Sequence, residues 1–474
     1  MVDVAIIGGG VVGGLLAREL TRYAVSVVIL EKEADVAMGA SKANSGIVHG
    51  GFDAKPGTLK AQLNVKGCAM MPRVAAELGV PYRNNGSLVV ARSEEDMAAI
   101  RELYQRGQEN GVPELAILDR AQLQALAPAV KGITALYAPT AGIVCPYSLA
   151  IAAIGNAMDN GAVLRRNFKV DALKKIPGGW AVCAGEQRVE ARYVVNAAGV
   201  YADEIARLVG DAHFTVTPRA GEYILLDKEV GELVTQTVFG APTPMGKGIL
   251  VSPTTHGNLL LGPTATDVPD KAASPTTAEG LQAVAAQAAQ MVEGIPMGKA
   301  ITSFCGLRST ADKGDFLIEP SENAPGVLHV AGIESPGLTA SPAIAEYAVA
   351  LLEEMGLKLE IDPAFDPHRE PVDSFRRLSN DEKNALIRQD GRYGRVVCRC
   401  EQITEGEIVA AIHRNPGATD TDGVKRRTRS GMGRCQGGFC QPVVAEILAR
   451  ELGISLEAVT KCGGNSQLLT DKTK

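Results

Sequence analysis

The sequence lacks an excess of basic charge: 48 Lys and Arg stand against 54 Asp and Glu, a net charge of −6. A nucleic acid needs a basic surface to neutralise its phosphates, so it is excluded as the main partner. No apolar run is long enough to span a bilayer, which leaves at most a peripheral association with membranes. No basic leader with an apolar stretch and cleavage site precedes the first strand-like run, and this predicts a cytoplasmic protein. The nine cysteines are odd in number and form no disulfide framework, as expected of a reducing compartment. Cys68, Cys145, Cys183 and Cys305 read as small buried apolar residues, and Cys462 reads as a spare thiol. Internal repeats and low-complexity segments are absent too.

What is present fits a multidomain globular chain, since 474 residues exceed what one core accommodates. Residues 2–7 (VDVAII) read as a buried strand, followed by a Gly-rich turn, a helix to about Leu20 and a second strand ending at Leu30. Residues 94–110 have the period of a surface helix. From Val163 the pattern is strand, Pro-Gly-Gly turn, strand, and residues 190–199 add another strand. Between 213 and 265, strand-like runs alternate with Gly and Pro turns, as in an antiparallel sheet. Residues 277–293 read as a helix, 326–333 as a buried strand, and Pro342–Gly356 as a helix.

Gly8, Gly10 and Gly13 form G-x-G-x-x-G between the first strand and the first helix. Such a turn lets backbone approach a pyrophosphate at a helix N-terminus. Glu31 ends the second strand, where a carboxylate accepts from ribose hydroxyls. The fingerprint alone leaves FAD and NAD open. Three segments favour FAD: ASKANSGIVHGG with Ser41, Asn44, Ser45 and Gly46; VVNAAGVYAD with Ala198 and Gly199; and VAGIESPGLTASP with Gly332, Gly337, Leu338 and Thr339. No second fingerprint offers NAD a place.

These segments together resemble the D-amino acid oxidase superfamily of flavoproteins over roughly residues 1–355. The branches most alike are the glycerol-3-phosphate and L-2-hydroxyglutarate dehydrogenases, the latter through NSGIVHGGFDAKPGTLKAQL. The resemblance implies FAD in a Rossmann-like α/β FAD-binding domain built from 1–80, 141–212 and 305–356; noncovalent attachment is the default expectation, which the sequence does not fix. An antiparallel-sheet substrate domain of α+β class would then take 81–140 and 213–304. Residues 357–393, rich in Pro and charge, read as a linker to a small helical module over 394–462.

Within that module Cys398-Arg-Cys400 and Cys435-Gln-Gly-Gly-Phe-Cys440 offer four thiolates in two short pairs, a donor set for a soft metal. Gly437 and Gly438 leave backbone N–H groups available to the sulfurs. Thr404 and Glu407 mark a capping box at a helix start. A structural zinc site is the alternative. All four cysteines resemble the bacterioferritin-associated ferredoxin motif, which implies a [2Fe–2S] cluster. The run KRRTR (425–429) reads either as a dock for an acidic redox partner or as a solvated face.

Oxidising an alcohol needs a group to take the hydroxyl proton. His49, beside Gly50 and Gly51, is the candidate base or flavin contact, against a purely structural role. His256 falls at a hairpin turn, and His213, His329, His368 and His413 have no supporting context. Arg308 in FCGLRS matches the superfamily's Gly-x-Arg position for a substrate anion; a structural ion pair is the alternative. Lys60 and Arg219 are weaker candidates. The domain pairing implies sn-glycerol 3-phosphate oxidised to dihydroxyacetone phosphate, with electrons passed through the cluster to a protein or quinone. An L-2-hydroxy acid is the near alternative, amine oxidation a third. A non-catalytic electron-transfer subunit and a zinc-stabilised module on a degenerate flavoprotein are the others.

Overall fold

The computed structural model describes residues 1–242, 248–273, 275–371 and 375–471. Residues 243–247 of the strand-rich run and 372–374 of the expected linker lie outside them.

The first sheet grows from the buried strand Val2–Ile7, every residue of which from Val4 to Ile7 is buried. It runs parallel to Val27–Leu30 on one side and to Gln187–Asn196 on the other, as expected of a β-α-β unit with both faces covered. Val163–Arg165 and Val327–Ala331 extend the parallel set. The expected meander is present as the hairpin Ala172–Ile176 with Gly179–Ala184, antiparallel on the edge. Helices Val11–Leu20, Pro146–Asp159, Leu59–Glu77 and Gly337–Glu354 pack on one face in a single apolar core.

Among the described residues the second sheet has nine strands and its own core of Leu88, Val251 and Leu261 with neighbours. Its described pairings are antiparallel as expected except for one parallel pair, Thr237–Gly240 with Ser87–Ala91. Its longest strand, Ala300–Ala311, pairs with Val216–Leu226 along its length. That strand runs through the domain boundary placed at residue 305, so the division there cuts a continuous strand. Helix Gly337–Glu354 also begins before the expected Pro342: the proline stands inside the helix, where it removes the bond to Leu338 O, and that carbonyl accepts from Ser341 Oγ at 2.7 Å instead.

One close approach sets the helical layer. A Cβ on Gly67 would lie 2.2 Å from the carbonyl oxygen of Thr339 and 2.8 Å from Ala340 Cα. Thr339 in turn accepts a hydrogen bond from the His49 N–H at 2.9 Å. Gly67→Ala is therefore expected to push these helices apart, at a cost of about 2 kcal/mol, and to move the His49 segment. A thermal melt should show a loss of several degrees; an unchanged melting temperature would contradict the close contact.

Residues 357–371 are a strap rather than a free tether. Ala24 N–H donates to Glu360 O at 2.8 Å, and Asp362 N–H to Arg22 O at 2.8 Å. Arg369 is buried between Asp159 and the carbonyl of Asn415. Helix Asn380–Gln389 follows, with Ser379 and Glu382 forming a capping box. The C-terminal module then folds around Ile403, Ile408, Val424, Ile447 and Leu448, with helices Glu405–His413, Thr421–Thr428 and Gln441–Leu452. The capping box at Thr404 and Glu407 is present. Among the described residues no helix is long and apolar enough to cross a membrane.

Candidate functional site

A cavity of about 1740 Å³ runs between the two sheets. At one end lies the Gly-rich turn. Gly8 and Gly13 owe their lack of a side chain to packing: a Cβ on Gly8 would lie 2.3 Å from Ala197 O, and one on Gly13 would lie 2.1 Å from Gly8 O. Gly10 differs, because a Cβ there would meet only Ser41 Oγ, at 3.2 Å, and would otherwise fill the cavity. Its backbone is thus open to a ligand at the start of helix Val11–Leu20, where unpaired N–H groups favour an anion. Ser41 Oγ accepts from Val11 N–H at 2.9 Å and fixes the opposite wall. Glu31 accepts from Gly9 N–H at 2.7 Å and from Glu33 N–H at 2.9 Å. Burial raises the Glu31 carboxyl above the usual range, against these two bonds. The turn, the anion-binding helix end and the carboxylate fit the adenosine and pyrophosphate of FAD.

Asn44, Ser45, Gly46, Ala198, Gly199, Gly337 and Leu338 line the same cavity. Gly46 and Gly199 hold φ of 69° and 59°, backbone that other residues adopt at a cost. Gly13, Gly332 and Thr339 stand behind the wall. Gly332 makes its turn at φ 65°, and Thr339 ties two wall segments together by accepting from His49 and donating to Ile47 O at 3.2 Å.

On the sheet side, Arg308 enters the cavity. Its Nη2 donates to Thr264 O at 2.9 Å, and Gly221 leaves it room, since a Cβ there would lie 2.8 Å from Nη2. The cross-strand neighbour Arg219 is instead paired with Asp267 at 2.6 Å. Tyr223 stacks on Phe304 at 4.8 Å, and its hydroxyl is 3.2 Å from Ser45 Oγ. Burial raises the Tyr223 phenol, while Arg308 opposes that rise. Tyr223 was missed in the sequence, although the period of two from Arg219 through Gly221 places it on the same face. His49 lines the cavity with its ring 5.9 Å from that of Phe239 and Nε2 3.4 Å from Ser335 Oγ. Lys60 is paired with Glu334 at 2.8 Å at the cavity wall.

The remaining histidines serve elsewhere. His329 is fully buried against Asp211 at 2.7 Å. His256 does lie in the hairpin turn, but its ring is covered; burial and the nearby Arg429, Arg376 and Lys228 push its imidazole well below the usual value. The basic run reverses both of its readings. Arg426, Arg427 and Arg429 are buried, the first two on Asp35 and the third on Glu401.

The four cysteines of the module stand as two pairs. Cys400 and Cys435 sulfurs lie 3.6 Å apart near the surface, whereas Cys398 and Cys440 are buried. The Cys440 thiol and the N–H groups of Gly431 and Glu401 pull Cys398 down to about 6 against its burial. Cys435 is also lowered against its burial, by Phe439 N–H, the Cys400 thiol and Gly437 N–H. Among the described residues no three His, Cys, Asp or Glu side chains converge as ligands of a single ion. Two thiol pairs, with the N–H groups of Gly431 and Glu401 at Cys398 and of Phe439 and Gly437 at Cys435, fit a two-iron cluster.

The comparisons agree with this chemistry. The family described as FAD dependent oxidoreductase matches residues 3–351, and the BFD-like [2Fe-2S] binding domain matches residues 396–450. A glycerol 3-phosphate dehydrogenase of Caloramator mitchellensis is 48% identical over all of this chain and 99% of its own length. The bovine mitochondrial L-2-hydroxyglutarate dehydrogenase is 32% identical over 56% of this chain and 60% of its own. Among solved structures, the FAD-bound L-alpha-glycerophosphate oxidase of Mycoplasma pneumoniae superposes with a TM-score of 0.74 at 32% identity, over 78% of this chain and 98% of that one. The chain belongs to the DAO family of FAD-dependent oxidoreductases and carries a BFD-like [2Fe–2S] domain behind its flavin domain.

Proposed function

We propose that the chain oxidises sn-glycerol 3-phosphate to dihydroxyacetone phosphate and passes the electrons through the [2Fe–2S] module to a redox partner protein or a quinone. The observation that carries this reading is a guanidinium, Arg308, in the same cavity wall system as an imidazole, His49, and the dinucleotide-binding turn. In this reading Gly8, Gly10, Gly13 and Glu31 hold the adenosine and pyrophosphate. Ser41, Asn44, Ser45, Gly46, Ala198, Gly199, Gly332, Gly337, Leu338 and Thr339 shape or brace the wall along the rest of FAD. Cys398, Cys400, Cys435 and Cys440 hold the cluster. When bound, FAD accepts the hydride and the cluster carries electrons singly.

The residues of the chain do the rest. Arg308 holds the substrate's phosphate, its fork matching two oxygens. His49 takes the hydroxyl proton while the adjacent C–H leaves as hydride. Identity to the Caloramator dehydrogenase along the whole chain supports glycerol 3-phosphate. A second reading, an L-2-hydroxy acid, is supported by the bovine relative, and Arg308 would then hold a carboxylate.

Anaerobic titration with glycerol 3-phosphate and with L-2-hydroxyglutarate, followed by visible absorbance, separates them. Bleaching by the first and not the second is expected; the converse overturns the choice of substrate, and bleaching by neither overturns the oxidation of such substrates. Arg308→Met is expected to lower kcat/KM by about 100-fold, the loss of a charge-assisted fork on an anion. Most of the change should fall in KM, and Arg308→Lys should recover part of it. Unchanged KM in Arg308→Met would assign Arg308 to structure alone.

A further inference from the structure

Segment 32–42 has two faces. Lys32, Glu33, Met38 and Gly39 to Lys42 line the cavity that fits FAD. The other face is covered by the C-terminal module. Asp35 is fully buried there; its carboxylate accepts from Arg426 Nη2 at 2.6 Å and, through both oxygens, from Arg427 at 2.7 and 2.8 Å. Both arginines sit on the module's helix Thr421–Thr428, and Arg427 is anchored at home by Pro416 O and Gly423 O. Beside Asp35, Ala34 packs against Gly463, where a Cβ would lie 2.2 Å from the Ala34 Cβ.

The segment is also under constraint. Ala37 holds φ of 60°, a conformation that persists in an L-residue only when its surroundings impose it. Its N–H donates to Gly9 O at 2.8 Å, which ties the segment to the fingerprint turn. Val424, two residues before Arg426, packs in one core with Cys398 and Cys440. A cluster that organises those cysteines organises this helix as well, because metal binding and folding of such a module are linked.

We propose that Asp35 is a positioning residue through which the iron–sulfur module holds the FAD-facing segment 32–42, so that FAD and the cluster bind with coupled affinities. An isolated ion pair of this kind adds little net stability, but breaking one partner leaves buried charge uncompensated. The pair therefore transmits loss of module structure to the segment. Linkage is reciprocal, so FAD must raise the cluster's affinity by the factor by which the cluster raises FAD's.

The test is FAD affinity of the full-length chain, read by flavin fluorescence under anaerobic conditions, and it is independent of the substrate assigned above. Cluster-loaded wild type is compared with Cys400→Ser, which cannot assemble the cluster. FAD should bind about ten-fold more weakly without the cluster, within the usual range of coupling between sites. Asp35→Asn with its cluster loaded should show the weak affinity already, and Asp35→Asn/Cys400→Ser should bind no more weakly still. Equal affinity with and without the cluster overturns the proposal, a result that wild type and Cys400→Ser deliver even if Asp35→Asn fails to fold. A full ten-fold difference persisting in the Asp35→Asn background assigns the coupling to another route and overturns the role of Asp35.

Discussion

Replacing His49 with Ala is expected to slow anaerobic bleaching of the flavin by glycerol 3-phosphate about a thousand-fold, with FAD still bound. The magnitude is that of a lost general base. The backbone around His49 is fixed without the ring: its N–H donates to Thr339 Oγ1 at 2.9 Å, and its carbonyl accepts from Asn64 Nδ2 at 3.2 Å. Truncating the imidazole should therefore leave the wall in place and remove chemistry alone. What goes is a proton acceptor in the cavity, beside Phe239 and Ser335. A structural role would lower the melting temperature along with the rate. His49→Gln, which keeps hydrogen bonding but cannot accept the proton, should be as slow as the alanine variant; a loss of less than ten-fold in both would remove His49 from the chemistry.

How much of this was legible in the sequence depended on how local each feature is. The fingerprint glycines, Glu31 and the first two strands are set by neighbours a few residues away, and periodicity carries them. The two cysteine pairs and the Thr404–Glu407 cap are local as well. The basic run was not legible because its partner is 391 residues distant in the chain: Arg426 and Asp35 meet only in the folded protein. A charge cluster read alone looks solvated, and only tertiary pairing buries it. The strap over 357–371 was opaque for the same reason, since its prolines and charges read as a tether, while Arg22, Asn156 and Asp159 supply its partners. Thr339 and Gly332 fall in a motif that reads as cofactor contact, yet they brace the wall from behind. Motif membership gave the neighbourhood, and side-chain direction decided who faces the cavity. Tyr223 shows the converse: strand alternation from Arg219 was enough to find it.

The second large effect concerns the way out for electrons. Cys435→Ser is expected to leave the flavin reducible by substrate, in excess FAD, and to cut turnover with a one-electron acceptor by at least about a thousand-fold. Cys435 and Cys400 lie at the rim of the module, and neither belongs to its apolar core, which contains Cys398 and Cys440. A serine at 435 therefore disturbs packing little. It does remove a thiolate for which the N–H groups of Phe439 and Gly437 are aligned, and a hydroxyl is a poor ligand for iron in a sulfur-rich site. The iron content and the electron paramagnetic resonance signal after reduction should disappear together with acceptor-linked turnover. If the variant keeps wild-type turnover, electrons leave the flavin without the module. If wild type itself carries zinc and no iron, the module is a structural element. The buried arginines on Asp35, with Arg429 on Tyr147 and Arg166 on Gly417 O, would then tie a structural module to the flavin domain.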